Sequence, residues 1–458
     1  MRYGRIAAAI GGIVSVALTA ASSHPPARAE QPPHTKVAGH VQVGPATTAE
    51  CEQLYGIACY TPAQIRRAYD LSALYARGVT GKGTTIVIVD SFGSPTIKHD
   101  LAVFDRSFGL VSPPSFRVIA PAGAIPAYDP GSTDVSGWAG EATLDVEWAH
   151  VIAPGASILL VETPVSETEG VQGFPQIVAA ERYVLKHYHA TVISQSFGAT
   201  EQTFPDKRSV DALRGANIAA QKEKVTVLAA LGDSGATDFR LDGTEFYTRP
   251  VTSWEASDPL VTGVGGTELH LDANGERTAP DSAWNDTYNS AVSEYLDGTP
   301  GPDPDASGGG TSIFFPRPWY QDGVRAVTGG ARGTPDISMS ASCDGAVDTY
   351  GSYADSAGWS QTCGDSEATP LFAGIVALAA QEAGRPLGLI NPALYRMAAA
   401  RDPGIVPVTS GNNTVTFHQD GHEYTVRGYR AQAGYSLVTG VGTIDARLFV
   451  PELAVLAG

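Results

Sequence analysis

The sequence predicts an α/β fold, a mostly parallel central sheet with helices on both faces. Three observations carry that expectation. Short runs of Val, Ile, Leu and Ala recur at 85–90, 157–162, 191–195 and 225–230, and continuous rather than alternating apolarity marks strands covered on both sides. Helical stretches lie between them, at roughly 139–151, 172–189 and 207–222; strand–helix–strand repetition builds a parallel sheet. Finally, 43% of the 458 residues are hydrophobic and 17% charged. That supplies a large core and excludes disorder, collagen and coiled coil as the overall state.

The chain reads in order as an address, a short leader and one long unit. Residues 1–29 carry Arg2 and Arg5, an apolar run over 6–20 and Ala27-Arg28-Ala29, the pattern of a secretory signal peptide cleaved after Ala29. A membrane anchor is the weaker reading, because the run is short for a span and ends in a Pro-containing polar stretch. Residues 30–58 form a polar leader, expected to be mobile to about Glu50. The unit 59–458 has no internal repeat and no clear linker; within it 272–305, rich in Asp, Gly, Pro, Asn and Ser, reads as long surface loops. The most apolar later segment, 370–380, is too short to cross a membrane. A secreted protein, free of the membrane once the signal is cut, is the expectation.

Charge narrows the partners. There are 30 Lys+Arg against 48 Asp+Glu, a net −18, and no basic stripe to neutralise phosphates, so nucleic acid is excluded as a partner class. Export favours disulfides for the four cysteines, which allow three pairings. Cys51–Cys59 and Cys343–Cys363 are preferred because each closes a local loop. A zinc site would need tighter C-x2-C pairs, and none is present.

In such sheets reactive groups gather at the carboxyl ends of the strands. Asp90 ends the first run, Ser194-Gln195-Ser196-Phe197-Gly198 another, and Gly232-Asp233-Ser234-Gly235 a fourth. Gly364-Asp365-Ser366-Glu367-Ala368-Thr369-Pro370 opens an apolar helix running to about Glu382. Pro370 is expected in its first turn, where a missing N–H is not needed. A serine there is most simply a helix cap. The helix behind it, Leu371-Phe372-Ala373-Gly374-Ile375-Val376, is apolar all round and so reads as buried. A serine fixed at its mouth, with free N–H groups nearby, is placed for nucleophilic attack.

Such a serine needs a base. No histidine sits in an HGTH-type sequence: His150, His187 and His189 fall on helical stretches, and His418 and His422 in a polar C-terminal loop. Glu141 is the better candidate. Glu141 and Asp145 stand at i and i+4 on one helical face, where a shared proton relieves repulsion and raises one pKa. Glu147 is turned away from Glu141 and is expected to be solvated.

Assembled, these residues make the chain resemble the sedolisin family of serine-carboxyl peptidases, acid-active relatives of subtilisin. From Cys59 to the C-terminus the motifs match in order: Cys59-Tyr60-Thr61-Pro62 through Tyr69, Gly140-Glu141 with Leu144-Asp145, Gly232-Asp233-Ser234-Gly235, Val264-Gly265-Gly266-Thr267, Ser307-Gly308-Gly309-Gly310, Pro335-Asp336-Ile337, the Ser366 segment and Asn391-Pro392. The resemblance implies a subtilisin-like fold and a secreted serine-type endopeptidase acting on polypeptides. Ser366 would be the nucleophile, Glu141 its base, Asp145 the orienting acid and Asp233, protonated, the oxyanion stabiliser. A protonated Asp233 and a carboxylate base both suit work below about pH 5. It also implies that Ser194, Ser196 and Gly198 lie along a substrate-lining strand edge, and that Asp90 extends the chain of acids from behind. Phe197 stands where some members have Trp.

Three departures accompany the match. Family members usually carry a long propeptide, whereas only residues 30–58 precede Cys59 here; latency then works differently, or the inhibitor or propeptide is a separate chain. Asp365 replaces the usual Thr before the nucleophile and Glu367 follows it; both acids would oppose an oxyanion if ionised. The two aspartates of the family's calcium site align with Pro407 and Ser436, so no metal cofactor is expected. These departures motivate an alternative, a catalytically silent secreted member acting as a binding or structural module. A different hydrolase, such as an esterase, would need a G-x-S-x-G elbow, which is absent.

Overall fold

The computed structural model describes residues 44–353 and 357–457, together with the backbone of Lys36–Val37. The segment 1–29, read above as a signal peptide, lies outside the described residues. The apolar runs do form the sheet. Its strands are β1 (Thr85–Ser91), β2 (Phe116–Ile119), β3 (Ser157–Thr163), β4 (Val192–Gln195), β5 (Thr226–Ala230), β6 (Thr262–Glu268), β7 (Ser282–Ala283) and β8 (Ile337–Ser340). They lie in the order β7-β6-β5-β4-β1-β3-β2, with β8 pairing β6. Every pairing is parallel except that of β7 with β6.

Helices cover both faces. α1 (Ile97–Phe108) and α2 (Thr133–Ile152) precede β3, and α3 (Phe174–His187) precedes β4. The stretch expected as one helix over 207–222 is two, α4 (Lys207–Leu213) and α5 (Gly215–Glu223), broken at Arg214. The 272–305 region is less open than its composition suggests. It contains β7 and a helix, α6 (Ser290–Asp297), and it buries Trp284, Asp286 and Asp305. His418 and His422 stand on a hairpin, Val415–Gln419 with His422–Val426, not in a loop.

Two disulfides close local loops, Cys51–Cys59 and Cys343–Cys363. The first lies within the stretch read as leader and just past its end. Thr48–Tyr55 is a helix started by a Thr47–Glu50 capping box, so packed structure begins before Cys59. The second ties the strand Gly358–Cys363 to the segment after β8, and that strand leads straight into α7 (Asp365–Ala383).

α7 is the spine of the fold. It is apolar on all sides and packs against α2, β1, β4, β5, β6 and β8. α2 is equally enclosed, with every residue from Trp138 to Ile152 buried. That enclosure positions the site, because Glu141 and Asp145 ride on α2 and Ser366 on α7.

Candidate active site

Ser366 is the second residue of α7. The helix starts at Asp365, so Pro370 falls in its second turn rather than its first. There the absent N–H matters: it is the donor that Ser366 O would otherwise receive. Ser196 Oγ stands 3.4 Å from that carbonyl and donates to Asp145 Oδ1 at 2.8 Å. Ser196 thus bridges the Ser366 backbone and the Asp145 carboxyl.

The acids converge around this serine. Ser366, Glu141 and Asp145 have 0% exposure and Asp233 has 1%. Burial first, then Asp145 and Asp90, push Glu141 well above the usual carboxylate range; Asp233 adds to the rise, and the nearby Ser366 hydroxyl opposes it. The contact is close enough for that influence, yet neither Ser366 Oγ nor the Glu141 carboxyl makes a hydrogen bond of ordinary geometry. Asp145 is raised by burial and by Asp90, with Ser196 pulling the other way. Asp90, at the end of β1, is itself raised by burial and by Glu162. The carboxyls of the cluster therefore hold protons more readily than free carboxylates do, and can share one among them.

Asp233 approaches from a third stretch of chain. The loop after β5 is laced to the 306–308 turn by Ala306 N to Asp233 O (2.9 Å) and Gly308 N to Gly232 O (2.8 Å). Gly232 takes φ 100° and Gly235 φ 66°, conformations that side chains resist. Asp233 Oδ1 accepts the first N–H of α7, from Asp365, at 2.8 Å.

The pattern Subtilase family matches residues 131–402, which hold all four of these residues. The chain belongs to the subtilase family, in its sedolisin branch. It is 30% identical over 401 residues to kumamolisin of Bacillus sp. (strain MN-32), covering 84% of this chain and 62% of that protein. It is 27% identical over 389 residues to sedolisin of Pseudomonas sp. (strain 101), covering 84% of this chain and 60% of that one. The chain thus spans about 60% of the length of these relatives. A solved Pseudomonas sedolisin, a serine-carboxyl proteinase complexed with two molecules of pseudo-iodotyrostatin, superposes with TM-score 0.68 at 24% identity over 86% of this chain and 97% of that one. That likeness carries the fold.

Other expectations of this sedolisin-branch chain change. Ser194 is not on an edge: β4 lies inside the sheet, and Ser194 pairs with both Ile88 and Leu228. Gly198 is pressed against Trp254 O, which would lie 2.9 Å from a Cβ placed there. Glu147 is not solvated. It is fully buried and accepts the Tyr350 N–H at 3.2 Å, and burial raises it well above the usual range, with Asp100, Asp105 and Asp348 adding to the rise. Phe197 packs edge-on to Trp138. His150 pairs with Asp105 at 3.3 Å, two and a half turns along α2 from Glu141 and on the opposite face.

Two matched motifs prove structural. Asp336 binds the buried Arg332 through both oxygens and accepts the Gly263 N–H. Asn391 accepts the Thr262 hydroxyl and donates to Val261 O. At the two positions expected to align with calcium-binding aspartates the residues present do not fit a hard cation: Pro407 has no side-chain oxygen, and Ser436 Oγ is engaged with Thr439.

Proposed function

We propose that this chain is a secreted, acid-active endopeptidase that hydrolyses peptide bonds through Ser366, Glu141, Asp145 and Asp233. The observation that carries the reading is the convergence of a helix-mouth hydroxyl and three acids in one buried cluster, with no histidine opposite the serine. In this reading Ser366 Oγ attacks the carbonyl carbon and its proton passes to Glu141. Asp145, held by Ser196, steadies Glu141 and shares its proton. Asp233 accepts from α7 through Oδ1, so a proton on its carboxyl sits at Oδ2 and can be donated to the developing oxyanion. Collapse returns the Glu141 proton to the leaving amine, and water then repeats the sequence to free the acyl group.

Secretion rests on the 1–29 pattern. No helix among the described residues is long and apolar enough to cross a membrane. No calcium dependence is proposed, since Pro407 and Ser436 supply no carboxylate.

One observation favours a second reading, a silent binding or structural module: the whole cluster is closed from solvent. The same experiment separates the two. The protein is incubated with denatured casein at roughly pH 3 to 5, beside Ser366→Ala. Cleavage by the wild type alone is expected, and it fades toward neutral pH. Equal cleavage by both proteins would sink the serine mechanism, and cleavage by neither would favour the silent module.

A further inference from the structure

Asp365, the departure beside the nucleophile, has no place in the mechanism above, yet it occupies a built socket. It is fully buried at the first position of α7. Its Oδ2 accepts from Ser307 Oγ at 3.1 Å, and Ser307 Oγ in turn accepts the Gly266 N–H at 2.8 Å. The amides of Gly308 and Leu231 lie near enough to favour its charged form, while burial pushes it well above the usual range. The socket depends on a missing side chain, since a Cβ at Gly266 would stand 2.6 Å from Asp365 Oδ1. Gly308 is equally confined, its Cβ position being 2.4 Å from Leu231 O. The side chain therefore lies against Gly266 of β6, Ser307 and the segment just after β5. Meanwhile the backbone N–H of the same residue holds Asp233 Oδ1.

We propose that Asp365 is a positioning residue: its carboxyl pins the 307–308 turn while its N–H aims Asp233 at the oxygen that turns negative when Ser366 attacks. This rests on the function proposed above and deepens it. One residue grips the Asp233 loop from two sides. The carboxyl restrains the turn to which residues 232 and 233 are laced, and the amide restrains the Asp233 side chain itself. A hydrogen-bond donor misplaced by an ångström loses much of its effect on a transition state.

The test compares Asp365→Ala and Asp365→Asn, each alone and with Asp233→Ala, in casein cleavage and in hydrogen exchange. Asp365→Ala is expected to lower kcat about 10- to 100-fold with KM within about twofold. Asp365→Asn, which keeps the shape and an acceptor oxygen, should retain at least about half the activity. In the Asp233→Ala background, Asp365→Ala should cost less than about threefold, because it acts through Asp233. Exchange of the amides in 231–235 and 306–308 should rise at least about tenfold in Asp365→Ala and stay put in Asp365→Asn. A loss that multiplies in full in the Asp233→Ala background, or appears in KM, or leaves exchange unchanged, overturns the proposal. If Asp365→Ala does not fold, Ser307→Ala removes the same anchor and should show the same pattern in weaker form. If the wild type itself cuts nothing, the proposed function fails, and exchange alone decides whether Asp365 holds the loop.

Discussion

Glu141 has an environment that a surface carboxylate never meets. It is buried, and Asp145, Asp90 and Asp233 all press its pKa upward. In the mechanism proposed above, a proton taken from Ser366 would be held more readily there than by a free glutamate. Glutamine has the same shape and cannot take that proton. Glu141→Gln should fold, since it mimics the neutral acid, and should lose about 10²- to 10⁴-fold in kcat with little change in KM. Steady-state kinetics near pH 4 check this; a loss under about tenfold would remove Glu141 as base. Glu147 shows how close the sequence came to misassigning these acids. It is about a third of a turn round the same helix, and helical geometry alone suggested solvent. The structure buries it because α1 and the Ala346–Gly351 strand cover that face of α2, a tertiary fact that no local pattern contains.

The crossing of α2 and α7 determines whether the acids reach the serine. Both helices run away from the site in the same direction, and at Gly374 they touch. A Cβ there would lie 2.5 Å from Ile152 Cβ, 2.7 Å from Ile152 Cγ2 and 3.4 Å from Ala149 O. Ile152 Cβ is fixed to its backbone and cannot swing aside, so Gly374→Ala must push the helices apart. Overpacking of this kind costs about 1–3 kcal/mol, against at most about 1 kcal/mol gained from alanine's helix propensity. The expected outcome is a lower melting temperature by calorimetry and a kcat that falls with it. An unchanged or raised melting temperature would mean that the helices are not locked at this point. Strands β1, β3, β4 and β5 and both long helices were legible in the sequence, because burial on all faces leaves continuous apolar runs; β2, β6, β7 and β8 were not. The break at Arg214 and the second-turn position of Pro370 were not, because propensity places helix ends loosely. Gly374 looked like one small residue in an apolar run. Only the partner helix reveals why it lacks a side chain.

Over the whole molecule, the acidic balance was plain from composition, but the location of the acids was not. Charge in a sequence reads as surface, and Glu181, Glu255, Asp286 and Asp348 are all buried. Cations are too few to neutralise them: among the described residues, only Asp336 with Arg332 is an arginine pair with both side chains fully buried. These four lean on neutral donors instead, Glu181 on Gln195, Asp286 on Trp284 and Ser342, and Asp348 on Gln361, and Glu255 on Asn217. Burial lifts Asp238 to about 6, Glu162, Asp286 and Asp348 to about 7, and Glu255 to about 8. Each folded value is above that of the unfolded chain, near 4. Each group therefore contributes stability that is complete below about pH 4 and is lost as pH rises through its folded value. The acids with lowered values, Glu50, Asp242 and Asp272, act in the opposite sense but are largely exposed and screened. The net expectation is a melting temperature that is highest in acid and declines steadily between about pH 4 and pH 8. Calorimetry across that range at constant ionic strength measures it, with Ser366→Ala used to prevent self-digestion. A profile that is flat, or that climbs toward neutrality, would mean that the buried carboxyls are ionised in the fold and balanced by contacts other than those described. The proton-holding cluster at Ser366 would then lose its physical basis along with them.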